Sequence, residues 1–180
     1  MNDKKRESNN KDLIAALRNC GAIQIGDFTL SSGKKSNYYI DIKKASTEPS
    51  TLKLIGKKAA ELIKSMKVDS VGGVELGGVP IATAVSLESG LPMILIRKTS
   101  KGYGTGEMLI GQLGKGNKVV MLEDVTTSGG SVKNAVSNIR DEGGNIDTVI
   151  TVVDREEGAK ENLKSIGIEL VPLIKASDLV

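Results

Sequence analysis

An apolar run that ends in two acids and a glycine-rich turn constrains the fold of this chain more than any other stretch. The run is Val119-Val120-Met121-Leu122, the acids are Glu123 and Asp124, and Val125-Thr126-Thr127-Ser128-Gly129-Gly130-Ser131 follow. Val132, Ala135, Val136 and Ile139 then recur at helical spacing. The order is strand, acidic pair, phosphate-sized turn, helix. A turn feeding a helix presents unpaired backbone N–H groups to an anion, and the helix dipole adds to them. Gly129 and Gly130 allow close backbone approach, Thr127, Ser128 and Ser131 add hydroxyl donors, and Ser131 is expected as the N-cap. Ordinary helix capping would need as much. The acids go further, because two carboxylates at the end of a buried strand are costly unless something pairs with them. A ribose diol or a hydrated Mg²⁺ ion explains acids beside a phosphate cradle. Successive residues on a strand point to opposite faces, so Glu123 and Asp124 are not expected to form one carboxylate dyad.

The same strand-then-helix order recurs along the chain. Leu13, Ala16, Leu17 and Cys20 mark a short helix ended by Gly21, and two short strands are expected around the Ser31-Ser32-Gly33-Lys34-Lys35 turn. Leu52 to Met66 traces an amphipathic helix after Pro49. Strands are expected at 68–74, 91–96, 119–124, 148–153 and 168–173, with helices at 79–87, 132–142 and 156–165 between them. Residues 98–113 show no period. Alternation of this kind gives an α/β fold with a parallel sheet and right-handed crossovers. Ligands of such sheets bind at the carboxyl ends of the strands, so Glu123-Asp124, Gly77-Gly78 and Asp154-Arg155 are expected to converge. Residues 1–10 are expected to form a flexible tail and 11–180 a single domain.

Composition removes several classes of chemistry. The chain has 180 residues, a formal net charge of +3, one Phe, three Tyr and no Trp. That balance gives no basic face and no stacking platform for nucleic acid. No apolar stretch approaches a membrane span, and the basic Lys4-Lys5-Arg6 is followed by no apolar run of the signal-peptide kind. A single cysteine, Cys20, points to a reducing cytoplasm. The chain has no histidine, which excludes Ser-His and Cys-His pairs and histidine acid–base catalysis. The absence of a Gly-x4-Gly-Lys-Ser/Thr motif excludes a P-loop.

Three further segments carry charge or glycine where a polyphosphate would need it. Arg97-Lys98-Thr99-Ser100-Lys101-Gly102-Tyr103-Gly104 is a basic, glycine-rich loop after a strand, suited to a lid over pyrophosphate. Gly72 to Pro80 is a second glycine turn, suited equally to tight strand–helix packing and to a backbone nest for pyrophosphate. Arg155 ends another strand, where its planar fork suits a carboxylate. Tyr38 or Tyr39 could wall a base pocket.

Residues 119–131 resemble the ribose-phosphate signature of the type I phosphoribosyltransferases. That resemblance implies a mainly parallel sheet flanked by helices, with a small N-terminal hood at about 11–45 and a core at about 50–175. It implies that Glu123 and Asp124 hold the ribose 2′- and 3′-hydroxyls of phosphoribosyl pyrophosphate, and that Val125 to Ser131 hold its 5′-phosphate. Phe28 to Asp41 and the Arg97-Lys98-x-x-Lys101-x-Tyr103-Gly104 loop are similar to the orotate-using branch of the family, over roughly Gly26 to Pro172. There the resemblance implies that Lys101 is catalytic, that Arg97, Lys98, Lys101 and Tyr103 bind pyrophosphate, and that Thr127 and Arg155 bind orotate. It implies Mg²⁺ carried by substrate and water, with Asp124 as its nearest protein group, and a homodimer whose loops enter the neighbouring site. Tyr103 stands where many members have His, and Ser31 and Gly77 stand where many have Lys. Two expected cations are therefore missing, with Lys34 or Lys35 as substitutes. Another base specificity, or a regulator sensing the same ligand, is the alternative.

Overall fold

The computed structural model describes residues 3–29, 33, 35–98 and 108–179. Lys101 and Tyr103, together with Ser31 and the substitute cation Lys34, lie outside the described residues.

Six strands form the central sheet in the order β5-β4-β3-β6-β7-β8. They are β3 (Ser70–Val74), β4 (Met93–Ile96), β5 (Leu109–Ile110), β6 (Lys118–Thr126), β7 (Asn145–Asp154) and β8 (Glu169–Lys175). β3, β4, β6, β7 and β8 run parallel, and only the edge strand β5 is antiparallel. Near-continuous apolar strands such as Val119–Leu122 are what a sheet covered on both faces requires. Two apolar layers cover it. Val71, Val120 and Leu122 pack with Ile81 and Val85 on one face, and Val119 and Met121 pack with Val132, Val136 and Ile139 on the other. The helices responsible are α4 (Gly78–Ser89) and α5 (Gly130–Asp141) respectively. α3 (Pro49–Ile63) stacks outside α4, and α6 (Ala159–Lys164) connects β7 to β8. α3 starts sharply because Pro49 opens its first turn and the Glu48 carboxylate accepts from the Ser50 N–H at 3.1 Å.

The hood is a separate two-stranded antiparallel ribbon of β1 (Ile23–Thr29) and β2 (Lys35–Ile40). α1 (Asp3–Asn19) packs beside it, and α2 (Ile42–Ser46) leads from the hood into the core. α1 starts at Asp3, so the backbone of the expected tail at 1–10 is helical from there on. No apolar period announces those turns, and from Lys11 on, where side chains are described, the first buried position is Leu13. α2 and β5 were not expected either: five residues and two residues are too short to display a period.

Candidate active site

The carboxyl ends of β3, β6 and β7 meet at one sheet edge. Thr126 pairs in register with Asp154, and its Oγ1 donates to Asp154 Oδ1 at 3.2 Å. The Arg155 N–H donates to Thr126 O at 2.9 Å, which fixes where the Arg155 side chain leaves β7. Gly77 abuts the Asp124 carboxylate. The three segments singled out from the sequence thus converge.

The acid pair is buried, with Glu123 at 5% and Asp124 at 9% exposure. Strand alternation sends their stems to different sides, since Asp124 follows Val120 and Leu122 while Glu123 follows Val119 and Met121. Near the carboxyl end of β6 the two carboxyls nevertheless interact, which corrects the expectation that alternation keeps them apart. The Asp124 N–H donates to Glu123 Oε1 at 3.1 Å, and the Val125 N–H donates to Asp124 Oδ1 at 2.8 Å. Burial, then the neighbouring Asp124 carboxylate, pushes the Glu123 carboxyl up to about 8. Burial also works against the Asp124 charge. The hydrogen bond from Glu123, the Val125 N–H and Lys43 outweigh it, and hold Asp124 below the usual carboxylate range. At neutral pH the site therefore holds one proton and one negative charge.

The turn after β6 is shaped for an anion. Gly129, not Ser131, is the N-cap of α5, with φ of 81° and no side-chain capping bond. Ser131 lies inside the first turn, so its expected capping role passes to a left-handed glycine that a β-carbon would strain. Without a side-chain cap, the first-turn N–H groups are free to take water or an anion. Thr127 and Ser128 are exposed, and Asn162 Nδ2 pins the turn by donating to Ser128 O at 3.0 Å.

The second glycine turn divides its labour. A β-carbon at Gly73 would meet Gly78 O at 2.6 Å, and one at Gly78 would meet Leu122 O at 2.5 Å, so these two glycines serve packing. Gly77 alone faces the acids. Lys43 Nζ reaches Asp124 Oδ2 at 3.4 Å from α2. The Lys98 N–H donates to Glu75 Oε1 at 2.7 Å, and the Lys98 charge acts on Glu123. Arg97 Nε is buried and has no hydrogen-bond partner among the described residues; it lies beside a cavity of about 560 Å³ that Lys98, Ser131, Asn134 and Asn138 also line.

A larger cavity, about 920 Å³, opens between hood and core and is lined by Asp27, Phe28, Lys35, Tyr38, Arg155 and Glu157. The Arg155 guanidinium lies 5.3 Å from the Tyr38 ring centroid, and its Nε donates to Glu157 Oε1 at 2.7 Å. Glu156 between them has φ of 58°, unusual for a residue with a side chain, and its Oε2 accepts from the Ser177 N–H at 2.8 Å. The turn that aims Arg155 is thus clamped from the C-terminal end. Thr127 is not among the residues lining this cavity. Tyr38, and not Tyr39, faces it. Lys43 and Glu157 escaped the sequence reading: one is a charge in a Lys43-Lys44 pair, the other an acid in an exposed-looking Glu156-Glu157 run.

Comparison with known proteins follows the same lines. Residues 43–171 match the model of the phosphoribosyl transferase domain. The chain is 62% identical over 174 residues to the orotate phosphoribosyltransferase of Methanosarcina acetivorans, covering 97% of this chain and 93% of that one. It is 56% identical to the orotate phosphoribosyltransferase of Methanocaldococcus jannaschii, covering 93% of this chain and 94% of that one. The crystal structure of the Mycobacterium tuberculosis orotate phosphoribosyltransferase in complex with 5-phospho-alpha-D-ribosyl 1-diphosphate superposes with a TM-score of 0.80. That pair is 30% identical, and the match covers 95% of this chain and 98% of that one.

Proposed function

This chain belongs to the orotate phosphoribosyltransferase family, and on that premise we propose how its sheet edge performs the transfer. The reaction takes ribose 5-phosphate from phosphoribosyl pyrophosphate to orotate, giving orotidine 5′-phosphate and pyrophosphate. The observation that carries the reading is the distance-fixed sequence of acid pair, uncapped α5 turn and Arg155 cavity along one edge. Ribose hydroxyls sit on Glu123 and Asp124, the 5′-phosphate on the first-turn N–H groups from Thr127 to Ser131, and the base in the hood cavity.

Arg155 supports an acceptor that bears a carboxylate. With Nε on Glu157, its two terminal nitrogens remain for a planar anion, and Tyr38 supplies a face for a flat ring. A purine offers no carboxylate to that fork, which favours orotate over the other base specificities. Thr127 contributes to orotate from the turn side in the resemblance, while its position here suits the phosphate turn.

Orotate N1 forms the new bond to ribose C1 as the bond from C1 to pyrophosphate breaks, the N1 proton passing to solvent, with positive charge developing on the sugar ring. Little covalent work falls to the protein, so positioning and charge placement dominate. The Asp124 carboxylate lies beneath the sugar where that charge develops. Lys98 and Lys101 neutralise the departing pyrophosphate, Lys101 as the catalytic cation, with Arg97 and Tyr103 as further pyrophosphate contacts.

A hydrated Mg²⁺ ion fits this donor set. Among the described residues no group of three or more His, Cys, Asp or Glu gathers as a protein cage, and two adjacent buried acids beside substrate phosphates are the usual arrangement for this cation. Asp124 would hold it through water. When bound, it would neutralise pyrophosphate charge.

The reading extends to a homodimer. Leu76 and Leu87, at 70% and 82% exposure, are large apolar side chains at the second glycine turn and on α4. Exposed apolar side chains of this kind suit contact with a second copy, with loops shared between sites. A cytoplasmic enzyme is proposed from the single cysteine. Among the described residues no helix is long and apolar enough to cross a membrane. Incubating the protein with phosphoribosyl pyrophosphate, Mg²⁺ and one of orotate, uracil or hypoxanthine tests the assignment. Nucleotide should form with orotate, and formation with another base in its place would overturn it.

A further inference from the structure

The hood–core junction delivers a cation to the acid pair. α2 is five residues long, and Lys43 is its second residue. Lys43 Nζ lies 3.4 Å from Asp124 Oδ2, with side-chain exposures of 59% and 12%. The ammonium thus comes down from the solvent side onto a carboxylate sunk in the sheet edge. That same carboxylate fills the space a β-carbon would need at Gly77. Cation, carboxylate and bare turn are stacked in that order. Gly77 can send no side chain toward a ligand, and its lack of a β-carbon is what lets Asp124 lie there. Among the described residues, Lys43 is the cation in salt-bridge range of either acid.

Substrate stereochemistry places a second anion beside this carboxylate. In phosphoribosyl pyrophosphate the pyrophosphate on C1 and the hydroxyl on C2 lie on the same side of the ring. Acids that hold the 2′- and 3′-hydroxyls therefore have pyrophosphate oxygens as their immediate neighbours. An ammonium already resting on Asp124 needs only to swing between adjacent anions. An exposed ion pair on an ordinary surface contributes little. Here one partner is buried at a ligand edge, and its charge must be met in the empty site and shared in the filled one.

We propose that Lys43 is a pyrophosphate-binding residue: in the empty site it neutralises Asp124, and on substrate entry it turns to the pyrophosphate oxygens at the Gly77 turn and releases Asp124 to the ribose hydroxyl. This rests on the transferase reading above. It assigns to the hood a direct part in binding the leaving group, supplying charge at the turn where Gly77 carries none.

The test is steady-state kinetics on the full chain with Lys43→Ala and Lys43→Arg, with pyrophosphate inhibition measured on the same variants. Lys43→Ala should raise both the KM for phosphoribosyl pyrophosphate and the inhibition constant of pyrophosphate about tenfold, the order expected for one charge-assisted contact. The orotate KM should stay within about twofold, since Lys43 lies outside the Arg155 cavity. Lys43→Arg should recover most of the loss. If the Ala variant loses thermal stability, Lys43→Met keeps the aliphatic stem and carries the same expectation. Unchanged pyrophosphate inhibition with normal orotate turnover would overturn the role of Lys43 and leave the transferase reading standing. Equal rises in both KM values without rescue by Arg would also overturn it. Failure of the wild-type chain to consume orotate would instead remove the reading on which it rests.

Discussion

Arg155 Nε donates to Glu157 Oε1 at 2.7 Å while its guanidinium lies 5.3 Å from the Tyr38 ring centroid. The fork is thus held on one edge and backed on one face before any base arrives. Pre-positioned donors of this kind lower the ordering cost of binding. Arg155→Ala should raise the KM for orotate by at least about tenfold, with a smaller effect on phosphoribosyl pyrophosphate. Equal effects on both substrates count against the carboxylate role. Glu157→Gln keeps the shape and removes the charge, and should raise the orotate KM by only about two- to fivefold.

Lys101 is the cation on which the leaving group is proposed to depend. Lys101→Ala should lower turnover by about 100–1,000-fold, the scale of losing one transition-state donor. Near-normal turnover under saturating substrates would sink that assignment.

The buried acid pair sets a pH dependence of stability. The folded Glu123 carboxyl is pushed up to about 8 from the ordinary value of 4.5. Below the ordinary value both folded and unfolded chains hold its proton. As pH rises the unfolded chain releases it first, so this contribution to stability declines across the window and is gone above about 8. Asp124 shifts downward and acts only at lower pH. Thermal unfolding of the ligand-free protein should therefore show a decline between about pH 5 and 8 that is weaker in Glu123→Gln. Identical profiles for the two proteins would refute the shared proton.

The turn before α5 depends on a left-handed glycine. Gly129 has φ of 81°, and a β-carbon there would meet Leu163 Cγ at 3.2 Å. Gly129→Ala should cost about 1–2 kcal/mol in denaturant unfolding and raise the KM for phosphoribosyl pyrophosphate. A variant as stable as wild type with unchanged KM would show that the turn tolerates other geometries.

Much of this was legible from residue pattern, for physical reasons. A parallel sheet buried on both faces writes its strands as apolar runs, and Val119–Leu122 and Val149–Val153 are such runs. The convergence of Asp124, Gly77 and Arg155 follows from strand polarity alone. What pattern missed was short, or lay across space. α2 and β5 hold too few residues for a period. Lys43 gains meaning only through Asp124, far along the chain, and Glu157 only through the fold of the turn at Glu156. Alternation placed the stems of Glu123 and Asp124 correctly but not their carboxyls, because each side chain bends back onto the N–H of the residue that follows it. Ser131 had the chemistry of an N-cap, and Gly129 took the position because the chain must turn left-handed before α5.

The proposed transfer requires this sheet edge to couple a ribose-phosphate cradle to a carboxylate-bearing base. The most direct measurement mixes the protein with orotate, phosphoribosyl pyrophosphate and Mg²⁺, and follows orotate absorbance and pyrophosphate release together. One pyrophosphate should be released for each orotate consumed, with orotidine 5′-phosphate as the other product. Pyrophosphate release without orotate consumption, or no reaction with orotate present, would contradict it.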